Sequence, residues 1–507
     1  MLLHKPSKEN TRAVMLCALY SLILLFFLSP DSYLYDLYNR YDSAIFFTCG
    51  KAWMNGMVPY VDFADSKGPL LWLIYGIGYL LSHHSYVGVF WISVAFYTAT
   101  IFIAYRLCRL YLSERLSTVA IAIFPMFILL YWYHSEMKAE DFCNPFVLLS
   151  IYFVCAIQTK KSSWSYFKMS LYMGISFTCC LLIKWNIACY VALFMVVALY
   201  FAVKNKEALS CLKGMLIGIV LPALPFIIYF LTFADFGAFT QEYFINTFVT
   251  IENKAESTHA AMPLGFNLLK IFRYKALLLV IIGTLFFCWK QKSRYWLILC
   301  LVCILIPATH GEYHYFTPIF LFSLFLIIPV IQLIDQRFPA IKKKSILWSV
   351  LIALFVVAFN FRHVIIVERA KVSDRQGYYR AAYIMSQIEH PKVLFGAVEK
   401  GIGVPVDHLP ACRYWICQMG ATKEMLAERL EFLESGEADF ICLGEYNDGL
   451  DDAHLRKLGY KCYGKVTYAD SLRGYFLLYG RPGLKLPPDD FYVSDWDVWL
   501  KRNIFGI

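Results

Sequence analysis

Charge is scarce in this chain. Of its 507 residues only 17% are Asp, Glu, Lys or Arg, while 59% are hydrophobic and 18% aromatic. Soluble domains average about 25% charged residues, so the shortage excludes an ordinary soluble protein and calls for a polytopic membrane protein. Nucleotide cradles are lacking as well. There is no G-x-G-x-x-G and no P-loop, and the glycines of GAVEKGIG (396–403) have the wrong spacing to hold phosphates. No basic stripe is interleaved with aromatics, so the net charge of +10 does not point to nucleic acid. Among sixteen cysteines there is one C-x-x-C, Cys300 to Cys303. It lies inside an apolar run with no second ligand pair, which excludes a metal or redox reading of it. Cys17, Cys108, Cys179, Cys180 and Cys189 also sit in apolar runs, where cysteine behaves as a small hydrophobe. Cys412 and Cys417 are a candidate disulfide if the tail faces an oxidising compartment.

What the chain has in plenty is apolar runs. A bilayer core of ~30 Å takes about 20 mostly apolar residues per helix. The first run, about 13–30, follows a basic lead. It reads as a retained helix rather than a signal peptide, because it is long and no clean small-x-small site follows. Ten more lie near 86–108, 117–133, 142–157, 166–183, 187–203, 212–233, 274–290, 295–309, 316–334 and 345–360. The expected fold is therefore a polytopic α-helical membrane protein with about 11 transmembrane helices. The stretch 69–82 is apolar but short, and reads as interfacial or re-entrant.

Lys and Arg set the orientation. The basic clusters at Lys5/Lys8/Arg12, Arg106/Arg109/Arg115, Lys160/Lys161, Lys204/Lys206/Lys213, Lys290/Lys292/Arg294 and Arg337/Lys342/Lys343/Lys344 fall on one side only if 69–82 does not span. That side is assigned to the cytoplasm. The other side then receives the loop 31–84, the turn 133–141, Lys184, the loop 234–270, the segment 310–315 and the tail from 361. The sequence thus divides into a membrane module, 1–360, and a soluble extracytoplasmic domain, 361–507. In the tail, KVLFGA, ADFICLGE and GYFLLYG read as strands. TKEMLAERLEFLESG reads as a helix stopped at Gly436, giving an α/β or α+β unit.

The same face collects Asp42, Asp62, Asp65, Lys67, Glu136, Lys138, Glu140, Asp141, Lys184, Glu312 and His314. Ionisable groups at a membrane boundary are costly and often functional. Each also has a plain alternative: a solvated loop residue, a helix-end hydrogen bond for His314, a snorkelling lysine for Lys184, a turn or helix cap for Asp62.

The first loop, YDSAIFFTCGKAWMNGMVPYVDFADSKGPLLW, resembles that of the GT-C superfamily of membrane-integral glycosyltransferases. These include protein O-mannosyltransferases, the lipid A aminoarabinose transferase and the galacturonic-acid transferases. Asp42 matches the acidic residue after the first span. Gly56 to Asp62 match G-x-x-P-Y-x-D, and Asp65-Ser66-Lys67-Gly68-Pro69-Leu70 match the D-x-K/P-P-L element. Glu140 and Asp141 stand at the second acidic position, and HYFTP supplies His314, Tyr315 and Pro318 for a late H-Y-x-x-P. The likeness covers roughly residues 30–330 and the general plan of a soluble tail. Two positions depart: Ser43 stands where many relatives have Glu, and Gly68 where many have Pro.

The resemblance implies transfer of a single sugar from a polyprenyl-phosphate carrier to a lipid, glycan or protein acceptor, on the extracytoplasmic face of the inner (plasma) membrane. It implies Asp42 as general base and Asp141 or Glu140 on the acceptor side. Lys67, with Asp65 beside it and Lys184 second, would hold the donor phosphate, and His314 and Tyr315 would reach phosphate or sugar. No cofactor is required. A divalent metal on the carboxylates and His314 stays open, although no ligand spacing demands one. The competing readings are a flippase or transporter, a lipid-linked oligosaccharide polymerase or ligase, and a scaffold or receptor presenting the tail.

Overall fold

The computed structural model of the chain describes residues 8–34, 42–129, 138–161, 163–250, 275–291, 295–308, 313–338, 340–370, 375–396, 401–416, 421–444, 451–467 and 475–493. All eleven expected spans fall on helices. The first nine helices are α1 (Lys8–Leu28), α2 (Asp42–Met54), α3 (Pro69–Leu81), α4 (Val87–Cys108), α5 (Glu114–Leu129), α6 (Ala139–Thr159), α7 (Tyr166–Ile183), α8 (Trp185–Lys204) and α9 (Ala208–Thr232). Helices Lys275–Gln291, Tyr295–Ala308, Leu324–Arg337 and Ser345–Ala370 follow. Among the described residues seven helices are long and apolar enough to cross a bilayer. The chain is a multi-pass membrane protein. The run expected at 316–334 begins as a 3₁₀ helix, Tyr313–Ser323, and Pro318 within it removes one backbone donor.

α3 is the short apolar stretch. Gly68 precedes it in an extended conformation, Pro69 occupies the first turn, and Ser82 ends it. Its 13 residues extend about 20 Å, less than the ~30 Å a span needs.

Compactness divides the chain differently from hydropathy. One unit comprises Met1–Leu28, Ser93–Phe226 and Met262–His363, and the other Ser29–Ile92, Ile227–Ala261 and Val364–Ile507. The first is called the span unit, the second the loop-and-tail unit.

In the span unit, small residues let helices touch at the backbone. Gly214 and Gly218 form a G-x-x-x-G on α9. A Cβ at Gly218 would lie 2.1 Å from the Leu171 carbonyl oxygen of α7, and one at Gly214 2.3 Å from that of Phe167. Such approach substitutes for the hydrophobic drive that lipid-exposed helices lack. Gly218→Leu is therefore expected to destabilise the span unit by roughly 1–3 kcal/mol, the usual cost of overpacking. Thermal denaturation in lipid nanodiscs checks this, and an unchanged midpoint would mean that α7 and α9 do not meet at that glycine.

In the loop-and-tail unit α2 packs along α3, and a Cβ at Gly50 would stand 2.4 Å from the Gly76 amide nitrogen. The tail carries a five-stranded sheet of β1 (Lys392–Phe395), β2 (Leu409–Pro410), β3 (Phe440–Gly444), β4 (Lys461–Thr467) and β5 (Tyr475–Gly480), in the order β2-β1-β3-β5-β4. β1 runs parallel to β2 and β3, while β5 is antiparallel to both β3 and β4. Every residue of β3 is buried, as a central strand's continuous apolar run requires. The three strands and the helix expected from sequence are all present. The helix is Lys423–Glu434, with the Thr422 hydroxyl capping the Met425 amide. The expectation missed β2, β4 and the helix Arg375–Met385, where β4 is polar and half-exposed and gives no apolar run.

Candidate functional site

The first group of expected residues lies in the loop-and-tail unit. Asp42 opens α2 and is half-buried, and the ten residues after it, Ser43–Ala52, are all buried. The chain then turns back through Gly56 and Tyr60, both in the left-handed region at φ 88° and 68°. Tyr60 is a rare residue there, and its surroundings hold it in place. The ring is fully buried, with centroids 4.6 Å from Trp72, 5.3 Å from Phe239 and 5.7 Å from Phe230. Burial raises the pKa of its hydroxyl well above the usual range. The group therefore stays a donor, and its bond to the Lys67 carbonyl is 2.8 Å long. Asp62 accepts from the Val58 amide at 2.6 Å, closing the turn, which is the plain reading of that residue.

Asp65 and Lys67 come together as the sequence suggested. The Lys67 ammonium lies 3.9 Å from an Asp65 carboxylate oxygen and 3.1 Å from the Ser66 hydroxyl. It also stands 5.5 Å from the centroid of the Phe46 ring. Phe46 is one helical turn beyond Asp42, and residues four apart on a helix are ~5–6 Å apart. The cation of Lys67 therefore rests against α2 at a side chain one turn beyond Asp42.

Sequence reasoning missed what holds this loop. Arg413, from the tail, donates to the Val61 carbonyl at 3.2 Å, and its own carbonyl accepts from the Ala64 amide at 2.9 Å. Arg413 is held by Glu428 at 3.4 Å and Glu242 at 3.7 Å. Glu242 is buried in a π-helical turn, Gln241–Asn246, and also accepts from the Tyr414 hydroxyl at 2.7 Å. Farther along α2, Lys51 is 0% exposed. It donates to the Gly403 carbonyl at 2.8 Å and pairs with Asp407 at 3.3 Å. Asp407 is bridged in turn by His390 at 3.3 Å and the Tyr79 hydroxyl at 3.4 Å. The only signal in the sequence was a lysine set in an aromatic-rich apolar stretch, FFTCGKAW.

His408 adjoins this pair. It is fully buried among Phe395 and Trp415, and a Cβ on Gly403 would meet its ring at 2.4 Å. Burial first, then the positive charge of Lys51, depresses its pKa well below 6.5. The unfolded chain takes up a proton near 6.5, and the folded one does not until far lower pH. Stability from this group is complete above about pH 6.5 and falls by roughly 1.4 kcal/mol per pH unit below it, until the folded value is reached. His408→Asn is expected to remove this slope from the pH dependence of thermal unfolding. A wild-type and variant difference that stays flat from pH 7 to 5 would contradict it.

Cys412, one half of the candidate disulfide, is a free thiol in the structure. Burial pushes its pKa up to about 11, so it is also a poor nucleophile. Cys417 lies outside the described residues.

The second group lies in the span unit. Glu140 and Lys184 are both buried and form an ion pair. Lys184 sits at the junction of α7 and α8, so two helix ends fix its backbone. Asp141 caps α6: its carboxylate accepts from the Lys138 amide at 3.1 Å, and Asn144 donates to it at 3.4 Å. Asp141 therefore has a structural task, and Lys184 already has a counter-charge. His314 and Tyr315 begin the 3₁₀ helix, with side chains outside the described residues, as are Glu136 and Glu312. Among the described residues, no three His, Cys, Asp or Glu side chains come together as a metal centre needs.

Residues 66–229 match the family described as dolichyl-phosphate-mannose-protein mannosyltransferase. The structure of ArnT from Cupriavidus metallidurans in the apo state superposes with a TM-score of 0.60 at 12% identity, covering 94% of this chain and 99% of that one. ArnT from the same organism bound to undecaprenyl phosphate gives a TM-score of 0.55 at 10% identity, with the same coverage. No curated protein sequence matches the chain. The chain shares its fold with these ArnT structures.

Proposed function

We propose that the protein transfers a single sugar from a polyprenyl-phosphate carrier to a hydroxyl of a lipid, glycan or protein acceptor, on the extracytoplasmic face of an inner (plasma) membrane. The observation that carries this reading is the placement of Lys67 beside Asp65 and against Phe46, one helical turn beyond Asp42 on α2. The match of residues 66–229 to a family of mannosyltransferases using dolichyl phosphate supports it, as does a fold shared with a protein that binds undecaprenyl phosphate.

In the proposed step the acceptor oxygen attacks C1 of the sugar, and the bond from C1 to the phosphate oxygen breaks. The electron pair leaves with the carrier phosphate, and the acceptor proton passes to the Asp42 carboxylate. The phosphate gains charge as it leaves, so a fixed cation lowers the barrier most in the transition state. Lys67 has that role, and Asp65 orients its ammonium. By the same resemblance Glu140 and Asp141 are assigned to the acceptor and Lys184, His314 and Tyr315 to the donor; of these, Glu140 and Lys184 pair with each other in the span unit. The transfer is redox-neutral and needs no organic cofactor. The soluble domain assigned to 361–507 reaches the loop through Arg413 and Asp407.

Lys67→Ala is expected to lower kcat with the polyprenyl-phosphate sugar by about 10²-fold, the cost of losing one charged stabiliser. Arginine at 67 should restore part of the loss. Steady-state kinetics in lipid nanodiscs checks it, and a kcat unchanged in the alanine variant would remove Lys67 from the reaction.

A further inference from the structure

We infer that the tail carries a separate binding site for an anionic saccharide, a sugar ring bearing a phosphate or a carboxylate. The site is a cleft of about 410 Å³ between the helix Arg375–Met385 and the edge strand β4. That volume falls within the ~300–1,000 Å³ of small-molecule sites. The cleft shares no residue with the loop described above.

Its lining combines three chemistries. Ala381, Ile384, Val466 and Leu478 supply an apolar floor, and Tyr463 and Phe491 add aromatic rings. The Tyr463 ring is pinned, since its hydroxyl donates to the Arg481 carbonyl at 2.8 Å and accepts from the Leu484 amide at 3.2 Å. Phe491 is set against Tyr383 at 5.2 Å. Arg380 and Lys465 supply two positive charges, and no carboxylate lines the cleft among the described residues. Arg380 makes one long bond, 3.3 Å, to the Asp489 carbonyl, which leaves most of its five donors for a ligand. Lys465 rests over the Tyr475 ring at 3.8 Å. A bulge between Cys462 and Gly464 breaks the ladder where β4 borders the cleft, and Gly464 presents no side chain there.

Two cations with no carboxylate beside them among the described lining residues select an anion, and a guanidinium favours the planar or forked oxygens of carboxylate and phosphate. Fixed rings beside an apolar floor suit the C–H face of a sugar. An inorganic anion would use the charges and leave the rings idle, and a neutral sugar would do the reverse. The ligand that uses both is an acidic or phosphorylated saccharide.

The test is calorimetric titration of the full-length protein in neutral-lipid nanodiscs, with glucose 6-phosphate, glucuronate, glucose, inorganic phosphate and uridine monophosphate as probes. Glucose 6-phosphate or glucuronate is expected to bind at least tenfold more tightly than glucose or inorganic phosphate. Arg380→Met and Lys465→Met should each weaken that binding by roughly tenfold, and the double variant should abolish it. Both residues are exposed, so thermal midpoints should not move. Lys67→Ala should bind the probe like the wild type, which separates this site from the proposed donor site and keeps its fate independent of the transfer reading. Binding that survives the double variant, equal binding of glucose or inorganic phosphate, or tighter binding of uridine monophosphate would each overturn the inference.

Discussion

Replacing Lys51 by methionine is expected to destabilise the loop-and-tail unit by about 3 kcal/mol, and replacing Asp407 by alanine by more, towards 5 kcal/mol. The two differ because their burial differs. Lys51 is 0% exposed and Asp407 16%. Without Lys51, Asp407 keeps His390, Tyr79 and some water. Without Asp407, a lysine charge stays in the interior beside the Gly403 carbonyl, with no carboxylate of this pair to balance it. A lone buried charge is costlier than a lone half-buried one. The double variant Lys51→Met with Asp407→Ala removes both charges, and should recover a good part of the loss of either single change. Chemical denaturation of the wild type, both single variants and the double variant closes the cycle. Purely additive effects would show that the pair is not coupled and would contradict this geometry.

Such a pair also explains why α2 belongs with the tail. The helix is wholly buried from Ser43 to Ala52, so its position is fixed by packing on α3 and by Lys51 at its far end. Arg413 fixes the loop after it at Val61 and Ala64. A group at the first turn of a helix held at several points is preorganised, which electrostatic catalysis needs.

Local features of the molecule were legible in the sequence. Runs of apolar residues marked every expected span, because crossing lipid demands them. The strands at 392–395, 440–444 and 475–480 announced themselves by apolar content. Asp65 and Lys67 are two residues apart, and their meeting needed no tertiary information. Long-range pairing was not legible. Lys51 and the carbonyl it binds are 352 residues apart, and no local pattern in either segment implies the other. Glu242 was hidden for the same reason, its partners Arg413 and Tyr414 lying in the tail. Asp141 shows the reverse case: its acidity and place before a helix suited both catalysis and capping, and the structure shows the cap.

The second large effect concerns Asp42. Asp42→Asn keeps size and most hydrogen-bonding capacity while removing the group that takes the acceptor proton. General-base catalysis contributes about 10²–10⁴-fold, so kcat is expected to fall by that factor with little change in KM for the donor. Asp42 stands at the first residue of α2, where a carboxylate also favours the helix dipole. The neutral variant gives that up at roughly 0.3–1 kcal/mol, too little to unfold the protein. Loss of activity with an intact thermal midpoint is thus the signature of a catalytic role, and loss of both would indicate a structural one.

The most direct test of the account follows radiolabelled sugar leaving its carrier. Purified protein in nanodiscs would be given a panel of polyprenyl-phosphate sugars and a membrane extract as acceptor source, with Asp42→Asn in parallel. The account predicts protein-dependent transfer of label from one donor to an acceptor, falling at least 10²-fold in the variant. Undiminished transfer in Asp42→Asn, or movement of intact labelled carrier across the bilayer with no sugar released, would contradict it.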